Sequence, residues 1–327
     1  MHRELPDRPL KKRLLHRLEW LLVETMLWHL QSCSMATAYR RTRRLAQLGQ
    51  WLLKGNRYWA ETNLQLVFGD HLTPEQREKL VKLAFENIFL SHVEGMRAGE
   101  VKFVDEGLDH LHNAMAGGRG AISVSVHLGS WEPGLMHLAK QGHPLTVVYR
   151  HASNPLVEER FSQERAAYGL TFVRRDRPRE VLATLKRKEL LGLMVDINTH
   201  EGAVTAPFLG LDAQCPAGPV KLARRFQVPV VPVVAIREGV GEARLKHLPA
   251  MAPPTSHESD ATYLHRLHAA FELEILRYAE QYNWLHGRFR ARPDGTNWRR
   301  NTPQDKLFAA RKSPFLTPHK RILEMLS

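Results

Sequence analysis

The chain has 327 residues, enough to bury a sizeable core as one large domain or two. Its hydrophobic fraction of 43% and charged fraction of 25% are ordinary for a folded protein. Lys and Arg outnumber Asp and Glu 47 to 34, and the two cysteines, Cys33 and Cys215, stand far apart and outside any CxxC or Cys/His spacing, which argues against a disulfide framework and a zinc site.

The charge is concentrated at the two ends. Residues 1–60 carry 12 basic and 4 acidic side chains and residues 285–327 carry 10 and 3, whereas residues 61–284 are near balance with 25 and 27. Basic ends of this kind suit an anionic membrane surface, an acidic protein partner or nucleic acid; a solvated, solubilising face has the same composition. Met1 to Arg8 runs into Lys11-Lys12-Arg13 rather than a clean apolar core, so no cleavable secretion signal is expected. Leu14 to Leu30 is rich in Leu, Trp and Met but is interrupted by His16, Arg17, Glu19, Glu24 and His29. A spanning helix needs about 20 mainly apolar residues. The pattern predicts instead an amphipathic helix in the interface plane, with Trp20 and Trp28 near headgroup level. Arg40-Arg41-Thr-Arg43-Arg44 followed by Leu45, Leu48, Trp51 and Leu52 repeats the pattern, and a helical hairpin packed on the core is the other reading of both segments.

Thr73-Pro74-Glu75-Gln76 combines a cap residue, proline at the first helical position and Gln at the third, and it opens a helix reaching roughly to Met96. Gly117 to Gly120 is a turn before the β-branched strand Ala121 to His127. Gly129 permits a sharp turn, and Ser130 is a candidate cap for a helix over 131–140. Strands follow at 145–150, 170–173 and 190–197, with helices at 155–168 and 178–187 between them. A glycine- and proline-containing loop is expected from Thr199 to Pro219, then a helix at 219–226. The run 228–236 is a strong strand whose prolines suggest an edge or an irregular path. Residues 243–249 add a further candidate strand, and 260–281 a long helix. Alternating strands and helices predict an α/β fold with a mixed, mostly parallel sheet flanked by helices, behind an N-terminal helical, membrane-associating segment. The expected division is 1–100 helical, 101–300 the α/β core, and 301–327 a basic C-terminal tail.

The strand 121–127 ends in His127-Leu-Gly-Ser-Trp-Glu132, which places an imidazole at the carboxyl edge of the sheet, where open α/β sheets hold their ligands. A neutral histidine suits removal of a proton from an attacking hydroxyl or amine near neutral pH. No Gly-x-Ser-x-Gly elbow is present, which disfavours a serine acyl-enzyme. A carboxylate should hold the imidazole in one tautomer. Glu132, five residues on, is slightly favoured, and Asp196, at the end of another strand, is the alternative.

His127-Leu-Gly-Ser-Trp-Glu132 resembles the HX4(D/E) motif of the lysophospholipid acyltransferase superfamily and, more narrowly, of the lipid A biosynthesis (lauroyl/myristoyl) acyltransferases. Asn63 to Phe68, Tyr149-Arg150 with Asn154-Pro155, Asp196 before a loop ending Pro207-Phe-Leu-Gly210, Pro216 to Ala223, Val230 to Pro232 and Trp284 to Arg288 fall in that family's order. The similarity spans roughly residues 15–293, with Ser130 where the family carries Asn, and Asp196-Ile197 where it carries Asp-Gln. It implies transfer of a fatty acyl chain from an acyl carrier protein or coenzyme A thioester to a lipid acceptor, at the cytoplasmic face of a bacterial inner membrane. Lipid A or a related glycolipid is the first acceptor, an aminolipid or lysophospholipid the alternative. No cofactor, metal or nucleic acid is implied. Arg150, ending its strand as His127 does, is a candidate grip for a phosphate or the donor's pantetheine arm. Ser130, Arg165, Phe208 and Arg288 are further substrate-binding candidates, with Phe208 and Leu209 as well suited to core packing and Trp284 and His286 read as structural. The run Arg174 to Arg177 is a candidate dock for an acidic carrier. Two rivals have less support: a metal-dependent hydrolase drawing on the eighteen histidines, for which no HExxH spacing appears, and a non-catalytic basic membrane- or nucleic-acid-binding protein, for which no known nucleic-acid module appears.

Overall fold

The computed structural model describes residues 9–150, 152–166, 168–200, 202–300 and 302–327, and at Glu164, Arg165, Gln304 and Asp305 the backbone alone. Four helices come first: α1 (Leu10–Gln31), α2 (Met35–Leu52), α3 (Lys54–Phe68) and α4 (Pro74–Met96). The start of α4 is the expected capping box: Thr73 Oγ accepts from the Gln76 N–H and Gln76 Oε1 accepts from the Thr73 N–H.

The sheet region follows as β1 (Lys102–Glu106), α5 (Leu108–Ala116), β2 (Ala121–Gly129), α6 (Trp131–Leu138), β3 (Leu145–Tyr149), α7 (Pro155–Ala166), β4 (Thr171–Arg174), α8 (Pro178–Lys186) and β5 (Leu190–Met194). The hairpin β6 (Ala203–Phe208) and β7 (Leu211–Pro216), then α9 (Gly218–Phe226), β8 (Val230–Gly239), β9 (Glu242–His247) and α10 (Asp260–Arg277) complete it, and α11 (Gln304–Ala309) and α12 (Lys320–Leu326) end the chain. Seven strands form one sheet in the order β1-β9-β8-β2-β5-β3-β4. All neighbours are parallel except β8 and β9, so the sheet is mixed and mostly parallel, with helices on both faces.

Strand periodicity divides the core. Ile122, Val124, Val126 and Leu128 of β2 are fully buried on the face that meets α3, α4, α9 and α10. Ala121, Val231, Val233 and Leu245 belong to the opposite face, under α5 and α6. The C-terminal residues are strapped onto this body: Leu316 N–H donates to the Val67 carbonyl, Arg311 to Leu66 and Leu209, and Ile322 and Leu326 are buried.

Two expectations change. The 199–219 stretch is not a loop but carries the antiparallel hairpin β6–β7, turning at Leu209-Gly210, both with positive φ. Leu211, Ala213 and Cys215 alternate buried with half-buried neighbours, a two-residue period that outweighs the local turn residues. Strand β8 is not an edge strand either; it lies between β2 and β9. Its prolines fall where the missing N–H costs little: Pro229 precedes the strand and Pro232 comes just before the β8–β9 pairing starts at Val233, and the path is irregular as expected, the β2–β8 register shifting between Ser125 and Gly129.

Candidate active site

Because β2 and β5 are parallel neighbours in register up to Ser125 and Met194, the residues just beyond those pairs meet across the strand tips. Val195 N–H bonds the Ser125 carbonyl at 3.0 Å. The Asp196 carboxylate then accepts twice from one residue: Oδ2 from the His127 backbone N–H at 2.9 Å, and Oδ1 from His127 Nδ1 at 2.8 Å. A carboxylate only accepts, so Nδ1 carries the hydrogen and Nε2 is left with its lone pair. No described residue hydrogen-bonds Nε2. The turn beyond the histidine depends on Gly129, whose φ is +61° and whose Cβ would lie 2.1 Å from the Ala235 carbonyl oxygen. That turn starts α6 at Trp131, whose ring meets the His127 ring edge-on at 4.8 Å.

Asp196 is buried and His127 keeps 21% of its side chain exposed. That exposure opens into a cleft of about 780 Å³ walled by Val148, Phe172, Val181, Leu182, Leu193 and Met194 and edged by Arg150, Arg175 and Lys221. An apolar cleft of this size with a few converging polar groups is the form of a binding site for a largely apolar ligand.

The charges are arranged around the imidazole. Burial pushes Asp196 up, but the His127 charge, the two hydrogen bonds from that residue and the buried Arg288 guanidinium outweigh it and hold the carboxyl down to about 2. Burial alone lowers His127; the Asp196 carboxylate, and then Glu132, more than reverse this and raise it above its ordinary 6.5. His286, also on the cleft, is held down to about 4 chiefly by burial and is neutral; its Nε2 accepts the Asn198 backbone N–H at 3.0 Å.

The partner of His127 Nδ1 is thus Asp196. Glu132 lines the same cleft from the first turn of α6, and its Oε2 lies 2.7 Å from Nδ1 of His92, a residue of α4 that the sequence pattern does not single out. Arg150 stands exposed at the end of β3 on the cleft rim. The other substrate-binding candidates lie elsewhere. Ser130 is fully buried, and its Oγ neither caps α6 nor finds any partner among the described residues, since its φ and ψ are not those of a capping residue. Phe208 is sealed in the core against His268 and Phe289. Arg288 is buried over the Phe208 ring, donating to the Gln214 carbonyl and Cys215 Sγ, and its charge helps hold the Asp196 carboxyl down. The Arg165 side chain lies outside the described residues. In the Arg174 to Arg177 run, Arg174 is tied to Asp176 and Arg177 to Glu180, and Arg175 alone of the three arginines reaches the cleft. The segment carrying His286 is fixed from α3: Asn63 Nδ2 donates to the Trp284 and His286 carbonyls at 2.8 and 2.7 Å. Asn63 and Trp284 are buried away from the cleft lining, whereas His286 forms part of the cleft wall.

Comparison with known proteins bears on this arrangement. Residues 8–291 match the family model of the bacterial lipid A biosynthesis acyltransferases. The chain is similar to the lipid A biosynthesis palmitoleoyltransferase of Escherichia coli (strain K12), at 30% identity over 265 residues, covering 77% of this chain and 84% of that protein. It is 26% identical over 299 residues to the lipid A biosynthesis lauroyltransferase of the same organism, with 86% and 95% covered. Over a shorter stretch of 139 residues it is 32% identical to the phosphatidylinositol mannoside acyltransferase of Mycolicibacterium smegmatis (strain ATCC 700084 / mc(2)155), covering 41% of this chain and 46% of that protein.

Proposed function

The chain belongs to the bacterial lipid A biosynthesis acyltransferase family, and from that premise we propose that it moves a fatty acyl chain from an acyl carrier protein or coenzyme A thioester to a hydroxyl of lipid A or a related glycolipid or phospholipid. The observation that carries this reading is the His127–Asp196 pair at the head of an apolar cleft. His127 Nε2 takes the proton of the acceptor hydroxyl as its oxygen attacks the thioester carbonyl. The carbon–sulfur bond then breaks, and the departing thiolate recovers that proton from the imidazolium. Asp196 fixes the tautomer and stabilises the cation, Glu132 adds a second negative charge nearby, and the acyl chain lies along the apolar wall. Arg150, Arg175 and Lys221 at the rim offer charge to a phosphate of donor or acceptor. Lipid extracts from cells lacking the gene are expected to hold a lipid A or glycolipid species lighter by one acyl chain, read by mass spectrometry. An unchanged lipid profile overturns the reading.

No described helix is long and apolar enough to cross a membrane. We propose that α1 instead lies on the lipid surface, at the cytoplasmic face of the inner membrane. Leu10, Leu14, Leu18, Leu21, Leu22 and Trp28 share one face of α1 and stand 52–72% exposed, flanked by Lys11, Lys12, Arg13 and Arg17. Another side of the helix is fastened to α7 and the residue before it: Asn154 donates to the His16 carbonyl and Glu19, and Arg160 pairs with Glu24. Each leucine buried in lipid is worth about 1.5–3 kcal/mol. The double change Leu18→Glu, Leu22→Glu is therefore expected to weaken binding to anionic vesicles more than roughly tenfold while the thermal midpoint holds. Sedimentation with vesicles that is the same for both proteins counts against the helix as the contact.

A further inference from the structure

Glu132 is received by α4 in more detail than a chance surface ion pair needs. Gly95 leaves the space, since a Cβ there would stand 2.6 Å from Glu132 Cγ. Ser91 Oγ accepts the Glu132 backbone N–H at 3.5 Å, and His92 Nδ1 lies 2.7 Å from Oε2. Residues 91, 92 and 95 fall on one side of the helix, the spacing of side chains that meet a common neighbour. The His92 ring also meets Trp131 edge-on at 5.9 Å, and the other side of the chain is the 4.8 Å contact between Trp131 and His127. Two imidazole–carboxylate pairs thus flank one indole. The outer one differs from the inner in exposure: the His92 side chain is 57% exposed and Glu132 only 11%. A carboxylate so covered, in the wall of an apolar cleft, is held in one place by a fixed donor such as the His92 ring nitrogen.

Resting on the reading of His127 as the base, we propose that His92 is a positioning residue for acyl transfer: its Nδ1–H fixes the Glu132 carboxylate in the cleft wall, where that charge stabilises the His127 imidazolium formed in the transition state. His92 is absent from the cleft lining, so its effect passes through Glu132. The benefit arises only once the imidazolium exists, so it belongs to kcat and not to substrate binding.

The test uses the full chain, with dodecanoyl-CoA as the thioester probe and a detergent-dispersed lipid A precursor as acceptor, alongside thermal unfolding. His92→Leu is expected to lower kcat roughly tenfold with KM for the thioester within about twofold of the parent. His92→Asn, whose amide nitrogen replaces the Nδ1 donor, restores most of that loss. Glu132→Gln combined with His92→Leu is no slower than Glu132→Gln alone, because both changes remove one effect. A His92→Leu protein with parental kcat, or one whose rate falls only as its folded fraction falls, overturns the proposal while leaving the role of His127 standing. The same is true if His92→Asn is as slow as His92→Leu. A His127→Asn protein that retains parental activity removes the reading of His127 itself, and this proposal with it.

Discussion

Asparagine in place of His127 is expected to lower acyl transfer by about a thousandfold or more while leaving the protein folded with a thermal midpoint near the parent's. The asparagine amide nitrogen reaches roughly where Nδ1 stands, so Asp196 keeps both donors, the side chain and the backbone N–H at 2.9 Å. What disappears is Nε2, the lone-pair nitrogen of a residue that lines the cleft. His127→Ala is expected to be as inactive but less stable, by about 1–3 kcal/mol, because it strips one hydrogen bond from a buried carboxylate that stays charged. The contrast separates chemistry from folding. Thiol release from a thioester probe reports the first and thermal unfolding the second. Activity of His127→Asn within tenfold of the parent refutes the histidine as base, whatever its stability.

The parts of the molecule that were legible in the sequence are those decided by neighbours along the chain. Ile122, Val124 and Val126 announce a buried strand, and His127 and Gly129 close it, because burial on one face and a turn with positive φ are local demands. The Thr73 capping box and the amphipathic character of α1 are local in the same sense. Strand order is not. Asp196 meets His127 because β5 lies beside β2, with β3 and β4 displaced outward, and nothing in the spacing from 127 to 196 encodes that adjacency. Glu132 looked nearer because it is nearer in sequence, but the first turn of α6 brings it to α4 and His92. The same limit hid the burial of Arg288: its neighbours along the chain do not show that Phe208 and Cys215 pack around its guanidinium. The hairpin β6–β7 carried a signal that was available, the alternation of Leu211, Ala213 and Cys215, masked by glycine and proline on either side.

Asp196→Asn carries the second large effect, and its signature is a displacement in pH as well as a loss of rate. In the parent, the base works only with Nε2 unprotonated, so activity rises with pH through the folded-state pKa of His127, which Asp196 and Glu132 hold above the ordinary 6.5. Taking away the Asp196 charge takes away the strongest attraction that opposes burial, so the rising limb moves to lower pH. The plateau falls as well, by about a thousandfold, because an amide nitrogen at Oδ1 donates to Nδ1 and drives the hydrogen onto Nε2. The stability effects of the pair carry opposite signs at the two ends of the scale. Asp196 is depressed from 3.8 to about 2, so its contribution is full above 3.8 and lost as pH falls through about 2. His127 is raised, so its contribution is full below 6.5 and lost as pH rises through its higher folded value. The parent's advantage over Asp196→Asn in thermal midpoint is therefore greatest between pH 3.8 and 6.5 and shrinks on either side. A pH–rate profile whose limb stays where the parent's lies, at whatever height, shows that the carboxylate does not govern the base. A difference in midpoint that is flat from acid to alkaline pH shows that the pair is not ionised as its geometry requires.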